Sequence, residues 1–249
     1  MIIALDGPDG AGKSTQVRDL VAWARAEGHS AAVVGKWDVF RHDVVPHARF
    51  LRGTDQVDLR TCIAEMPTPA RMLFLGWMNA TAATLALERT EDLVVLDGYW
   101  AKHAAAELLA DCPPDLVHTI NAAMAPVDSV VYLDVTPEEA LRRKGTDLAP
   151  YECGRDAGCS PARFLTHQTA VRRVLLDWAR TRGWTVIPSD SRQNVQRALR
   201  DHVAALLPTP HRGTTAVTDW STGSRPLRAA TTASADISPT ATGSPIRSR

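Results

Sequence analysis

The chain has 249 residues, 45% of them hydrophobic and 22% charged, the balance of an ordinary globular protein with enough length for one full core. Lys plus Arg and Asp plus Glu both number 28, so the formal net charge is zero; no whole-molecule field draws it to nucleic acid or anionic lipid, and any phosphate site must be local. No apolar run approaches the roughly 18 to 20 residues of a membrane span, and the apolar start at Ile2 soon meets Asp6, which reads as a soluble chain without a secretion signal.

Ile2-Ile3-Ala4-Leu5 is a short apolar run ending at a Gly-rich turn, and Lys13 to Glu27 follows with apolar residues at Val17, Leu20, Val21 and Ala24. That is strand, loop and helix. Gly28 stops the helix, and Ala31-Ala32-Val33-Val34, Leu93-Val94-Val95-Leu96, Ser129-Val130-Val131-Tyr132-Leu133 and Trp184-Thr185-Val186-Ile187 read as further strands. Helical stretches are expected at about Pro69 to Glu88, Lys102 to Leu109, Pro137 to Arg143, Pro161 to Arg182 and Asn194 to Leu207. Short buried strands alternating with helices predict an α/β fold, a three-layer α/β/α sandwich on a five-stranded parallel sheet. After Leu207 the composition turns to Ser, Thr, Pro, Gly and Arg without apolar periodicity, so one domain is expected over 1–207 and a disordered, functionally silent tail over 208–249.

Gly7-Pro8-Asp9-Gly10-Ala11-Gly12-Lys13-Ser14 matches G-x-x-x-x-G-K-[ST] in full and sits between a predicted strand and a predicted helix. The motif places the sandwich among P-loop NTPases. Backbone N–H groups of Gly10, Ala11, Gly12, Lys13, Ser14 and Thr15 are expected to meet ATP phosphates at the positive end of the helix dipole. Lys13 then reaches the β- and γ-phosphates, and the Ser14 hydroxyl ligates Mg²⁺. A carboxylate at the end of a neighbouring strand should orient the ion. Asp97, which ends LVVLD, is preferred over Asp134, because Thr136-Pro137 directly after Asp134 opens a helix and suits a structural joint. Of the cysteines, Cys62, Cys112, Cys153 and Cys159 have no C-x-x-C spacing. An ATP-using protein works in the reducing cytoplasm, so free thiols are expected; Cys153 and Cys159 with His167 fit no common zinc pattern.

Several separated segments resemble the thymidylate kinase family of nucleoside monophosphate kinases. DGPDGAGKSTQ resembles the family's P-loop with its extra Asp, here Asp9, and VVLDGY resembles its Asp-Arg-Tyr element. PEEALRRKGTDLAPYECG resembles the lid that closes over ATP, and RFLTHQTAVRRVLLDWA with WTVIPSD resembles the last long helix and strand. The resemblance covers about Ile2 to Leu207. It implies a kinase-like fold with a lid at about 142–160, ATP with Mg²⁺ as donor, a small nucleotide acceptor and a homodimer. It also implies that Asp9 binds the acceptor sugar, that Phe74 stacks on the base, that Tyr99 and Tyr151 contact substrate, and that Arg143 holds a basic lid position. The residues alone leave Arg143 open between transition-state stabilisation, shared with Lys13, and a solvated helix face.

The pattern departs at three places. Gly98 stands where the family has arginine, deleting a cation near the transferring phosphates; Lys36 is the first candidate to substitute and Arg41 the second, both also readable as surface cations. Met78 stands where an arginine reads the pyrimidine, and the loss of that donor opens the acceptor to a different or modified pyrimidine; with Trp77, Met78 otherwise reads as the core of an amphipathic helix. Pro150 replaces a lid arginine. The leading expectation is phosphorylation of a deoxynucleoside monophosphate, dTMP or a relative changed at the base. The alternatives are a P-loop kinase for a nucleoside or other hydroxyl acceptor, and a non-catalytic nucleotide-binding protein.

Overall fold

The computed structural model describes residues 1–154 and 158–208. Residues 155–157 of the expected lid and the expected tail beyond Pro208 lie outside the described residues. Five strands, β1 (Ile2–Asp6), β2 (Ala31–Val34), β3 (Leu93–Asp97), β4 (Ser129–Asp134) and β5 (Thr185–Pro188), form one sheet in the order β2-β3-β1-β4-β5. Every pairing is parallel. The helices are α1 (Lys13–Ala26), α2 (Gln56–Glu65), α3 (Thr68–Leu87), α4 (Ala101–Leu108), α5 (Pro114–Ala122), α6 (Pro137–Lys144), α7 (Pro161–Arg182) and α8 (Arg192–Ala204). This is the P-loop α/β kinase fold, with helices on both sides of the sheet.

Period-two alternation decides which residue of a strand meets which layer. From β1, Ile3 and Leu5 pack under Val17, Leu20, Val21 and Ala24 of α1 and Val195, Leu199 and Val203 of α8. Ala4 points the other way, with Val94 and Leu96 of β3, onto Ala82, Ala83 and Ala86 of α3. The third layer continues with α4 and α7, which cover Tyr132 through Ala105, Val171 and Leu175. The expected strands are all present within a residue or two at their ends. Helices α2 and α5 were not expected from the sequence, because their apolar signal is thin: α2 buries Leu59 and Ile63, α5 Val117 and Asn121. What begins α2 is the Asp55 side chain, which accepts from the N–H groups of Val57 and Asp58 at 2.7 and 2.8 Å.

At two places the structure corrects or extends the expectation from sequence. Cys153 and Cys159 are joined in a disulfide, with Cα atoms 5.3 Å apart, within the span such a bridge requires. The expectation of four free thiols therefore holds for Cys62 and Cys112 alone. The expectation missed it because it rested on a reducing compartment and on the absence of C-x-x-C spacing, neither of which reports how close two Cα atoms come. Secondly, Arg71 of α3 and Glu107 of α4 are both fully buried and paired in a two-pronged ion pair, Nη2 to Oε2 at 2.9 Å and Nε to Oε1. Nη1 of Arg71 also donates to the Met66 carbonyl at 2.8 Å. The pair ties α3 to α4.

Thiol titration of the unfolded, unreduced protein should find two reactive cysteines, and four after reduction; four before reduction would remove the bridge. Glu107→Ala should lower unfolding stability by about 3–5 kcal/mol in urea titration, since it leaves a buried guanidinium unpaired, whereas Arg71→Met with Glu107→Leu should recover most of the loss.

Candidate active site

The loop 7–12 leaves β1 and enters α1 with Gly12 as the N-cap; among the described residues no side chain caps that helix, and its first turn carries no acid. The same chain caps α6, α7 and α8 with Thr136, Ser160 and Ser191. The first N–H groups of α1 are thus left to a ligand, and the dipole selects an anion. Gly10 explains itself by two demands: its φ is 81°, and an added Cβ would come within 3.0 Å of Ala140 on α6. Lys13 lies across the loop, donating to the carbonyls of Gly7 and Pro8 at 2.8 Å each. Burial and the neighbouring Lys102 pull its ammonium group down, against Asp9, Asp6 and Asp97.

Beside the loop, at the carboxyl edge of the sheet, other charges gather. Lys102, from the first turn of α4, donates to Asp9 Oδ1 at 2.6 Å, with 15% and 18% of the two side chains exposed. Burial pushes the Asp9 carboxyl up, but Lys102, Lys13 and Lys36 outweigh it and hold the group far below the usual carboxylate range. For Lys102 the same pair works in reverse: burial opposes its charge, and Asp9 more than restores it. Lys36 donates to His103 Nε2. Burial, then Lys36, Lys102 and Lys13, hold His103 well below its ordinary value, so its ring is neutral and its Nδ1–H faces the Tyr151 hydroxyl at 3.3 Å. The Tyr151 ring lies 5.9 Å from His103 and 5.8 Å from the Arg71 guanidinium. Next to it, Glu152 pairs with Lys144 at 3.1 Å, and its carbonyl accepts from Gln168 at 2.8 Å.

On the other side of the loop a cavity of about 380 Å³ opens, lined among others by Gly12, Thr15, Asp134, Arg142, Arg143 and Ser189, a volume typical of small-ligand pockets. Arg143 is braced at its wall by Glu139 at 2.7 Å, Ser189 Oγ at 2.7 Å and the Gly10 carbonyl at 3.4 Å.

No protein-family model matches the chain. Two thymidylate kinases are similar to it. The one from Chlorobium luteolum is 29% identical over 158 residues, covering 58% of this chain and 66% of that protein. The one from Nitratidesulfovibrio vulgaris is 25% identical over 225 residues, covering 83% of this chain and 92% of that protein.

At these identities the chain is similar to thymidylate kinases and diverges from them. Against that family's pattern, the structure gathers Lys13, Asp9, Lys36 and Tyr151 in one cluster and sets Asp97 within its field. Asp134, the competitor of Asp97, is engaged by Arg172 at 2.6 and 2.8 Å, as a structural carboxylate would be. Phe74 is half-buried against the same apolar cluster as Tyr151, its ring 5.7 Å from Trp77. Met78 is fully buried in that cluster. Arg143 stands at the cavity wall rather than among the lysines. Two expected contacts are not brought in. Arg41 is more than half exposed beside Asp38. Tyr99 is turned into the core, 4% exposed, with its hydroxyl donating to the Ala125 carbonyl at 2.8 Å, which makes it a packing residue instead of a substrate contact.

Sequence reasoning missed Lys102, His103 and the Arg71–Glu107 pair. For Lys102 a signal existed: a cation in the first turn of a helix opposes the dipole and asks for an anion nearby. Gly98 has φ of 79°, although an added Cβ would meet nothing within 4 Å. Restoring a side chain there carries a backbone penalty, not a steric one. Gly98→Ala should lower stability by about 1–2 kcal/mol, read from the urea midpoint; an unmoved midpoint would show that the loop relaxes freely.

Proposed function

We propose that the chain transfers the γ-phosphoryl group of ATP to a deoxynucleoside monophosphate, dTMP or a pyrimidine relative changed at the base. The observation that carries this reading is the division of the sheet edge by one loop. The cavity at Arg143 lies on one side, and Asp9, Lys36, Lys102 and Tyr151 on the other. The loop N–H groups and Lys13 hold the donor phosphates between them, and transfer proceeds by positioning and charge stabilisation. A monophosphate is already an anionic nucleophile. Asp9 supports that acceptor over a free hydroxyl, because a carboxylate held so far down is a poor general base. Phe74 and Tyr151 offer aromatic faces for the base, while the burial of Met78 leaves the pyrimidine-reading arginine without a replacement at that position.

The Ser14 hydroxyl and the Asp97 carboxylate are hard oxygen donors beside Lys13 and fit Mg²⁺; no group of three or more His, Cys, Asp or Glu forms a metal cage among the described residues, which suits an ion that takes most ligands from phosphate and water. Bound there, Mg²⁺ would neutralise phosphate charge. The chain's own residues do the rest: Ser14 and Asp97 fix a position, Lys13 neutralises, and Arg143 steadies the donor wall. No helix among the described residues is long and apolar enough to cross a membrane. We place the chain in the cytoplasm as a homodimer, with Leu73 and Leu87 as the exposed apolar residues of α3 available to a second copy.

Incubation with ATP, Mg²⁺ and a panel of deoxynucleosides and their monophosphates should release ADP with a pyrimidine monophosphate. ADP with thymidine but not with any monophosphate would move the reading to hydroxyl acceptors, and no ADP across the panel would end the kinase reading. Lys13→Ala should lower kcat by about 100-fold or more while the melting temperature changes little.

A further inference from the structure

Four residues beyond Gly98, on the helix that follows β3, stands a lysine that pairs with the phosphate loop. Lys102 is the second residue of α4, where the helix dipole disfavours a positive charge. It is nevertheless mostly buried, and Asp9 Oδ1 accepts from it at 2.6 Å. The pair links the phosphate loop to the helix that follows Asp97, the two segments between which a transferring phosphoryl group must lie. A tie between loop and helix needs no more than a neutral hydrogen bond. Instead the fold gathers three lysines, Lys13, Lys36 and Lys102, all near enough to act on Asp9, and after burial it is Lys102 that most lowers both Lys13 and Lys36. Such repulsion is tolerated where a multiply charged anion is to be held.

We propose that Lys102 binds the phosphate of the acceptor monophosphate, together with Lys36, and so supplies the positive charge that Gly98 removes. The identity of the acceptor rests on the kinase reading; the binding of a monoester phosphate does not. Asp9, its carboxylate kept ionised by Lys102, aims the ammonium group by accepting from one of its three N–H donors. Arginine at 98 would have had to start from left-handed backbone at φ 79°, whereas lysine at 102 starts from ordinary helix. The surroundings also favour lysine. A single compact ammonium group fits beside one carboxylate oxygen, without the wide fork that a guanidinium presents.

The experiment is calorimetric titration of the full chain, without ATP, by dTMP, dUMP, dCMP, dAMP and dGMP and by the matching nucleosides. At least one monophosphate should bind the native protein more tightly than its nucleoside. Lys102→Ala should weaken that monophosphate by about tenfold or more, leave the nucleoside within about twofold, and leave ATP affinity within about twofold. Lys102→Arg should recover part of the loss. Equal loss for nucleoside and monophosphate would show a structural tie only, and a loss confined to ATP would assign Lys102 to the donor; either overturns the proposal, as does an unchanged monophosphate affinity. Should Lys102→Ala fail to fold, Lys102→Gln, which keeps a donor for Asp9 and removes the charge, must show the same selective loss. ADP release by the native protein is scored separately: without it the kinase reading falls, while a Lys102-dependent preference for monophosphates would leave the phosphate site standing. If no monophosphate is preferred over its nucleoside, the phosphate site falls and the ADP result alone decides the kinase reading.

Discussion

Three lysines share the carboxyl edge of a single sheet, Lys13 and Lys36 held below the usual ammonium range by burial and then by Lys102, and much of the surrounding structure serves to keep them there. Lys13 leans on two loop carbonyls, Lys36 on the neutral His103 ring, and Lys102 on Asp9. Asp6 and Asp97 at the strand ends add negative charge to the same field. Remove Asp9 and Lys102 would be left in the interior without its partner, while Lys13 and Lys36 would lose the negative charge that offsets their burial. The loop glycines belong to the same solution. They leave the first turn of α1 uncapped, so the backbone adds its own partial positive charge to that of the lysines.

Behind the lysines stands a buried ion pair with no phosphate role of its own. Arg71 and Glu107 lock α3 to α4, and the Arg71 guanidinium also faces the Tyr151 ring. Through that ring the pair reaches the His103 side chain. The helix that carries Phe74 and the helix that carries Lys102 are therefore set against each other by one ion pair. Its net contribution when intact is small, because both charges have left water; losing one partner is costly, because the other stays buried alone. The Cys153–Cys159 bridge holds the end of the short helical turn Pro150–Cys153 that carries Tyr151 and Glu152.

Under the proposed function, the donor and acceptor sides diverge from the pattern of thymidylate kinases to different degrees. On the donor side the loop motif, Lys13, Ser14 and Asp97 are all present and Arg143 borders the cavity. On the acceptor side Gly98 and Met78 each stand where the family has an arginine, as Pro150 does in the lid, and in the proposed site the cations are lysines, at Lys36 and Lys102. That exchange trades planar, two-pronged recognition for compact point charges, which hold phosphate well but read the edge of a base poorly. Under the proposed function, specificity for the base would rest on shape and stacking, at Phe74, Tyr151 and the neutral His103.

Much of this is legible in the chain alone. The five buried strands and the phosphate loop follow from apolar runs ended by glycine, and Lys13, Ser14 and Asp97 follow from their places at strand and helix ends, because those signals are local. Met78 as core and Asp134 as a structural carboxylate are also readable, one from helical periodicity and one from the Thr136-Pro137 cap just beyond it. Tertiary structure alone decided the partnerships across long separations. Asp9 meets Lys102 across 93 residues, Lys36 meets His103 across 67, and Arg71 meets Glu107 across 36; none leaves a periodic trace, since an ion pair depends on where two helices are packed and not on what surrounds either residue in the chain. For the same reason Tyr99 could not be turned inward, nor Arg41 left at the surface, until the layers on either side of β3 were in place.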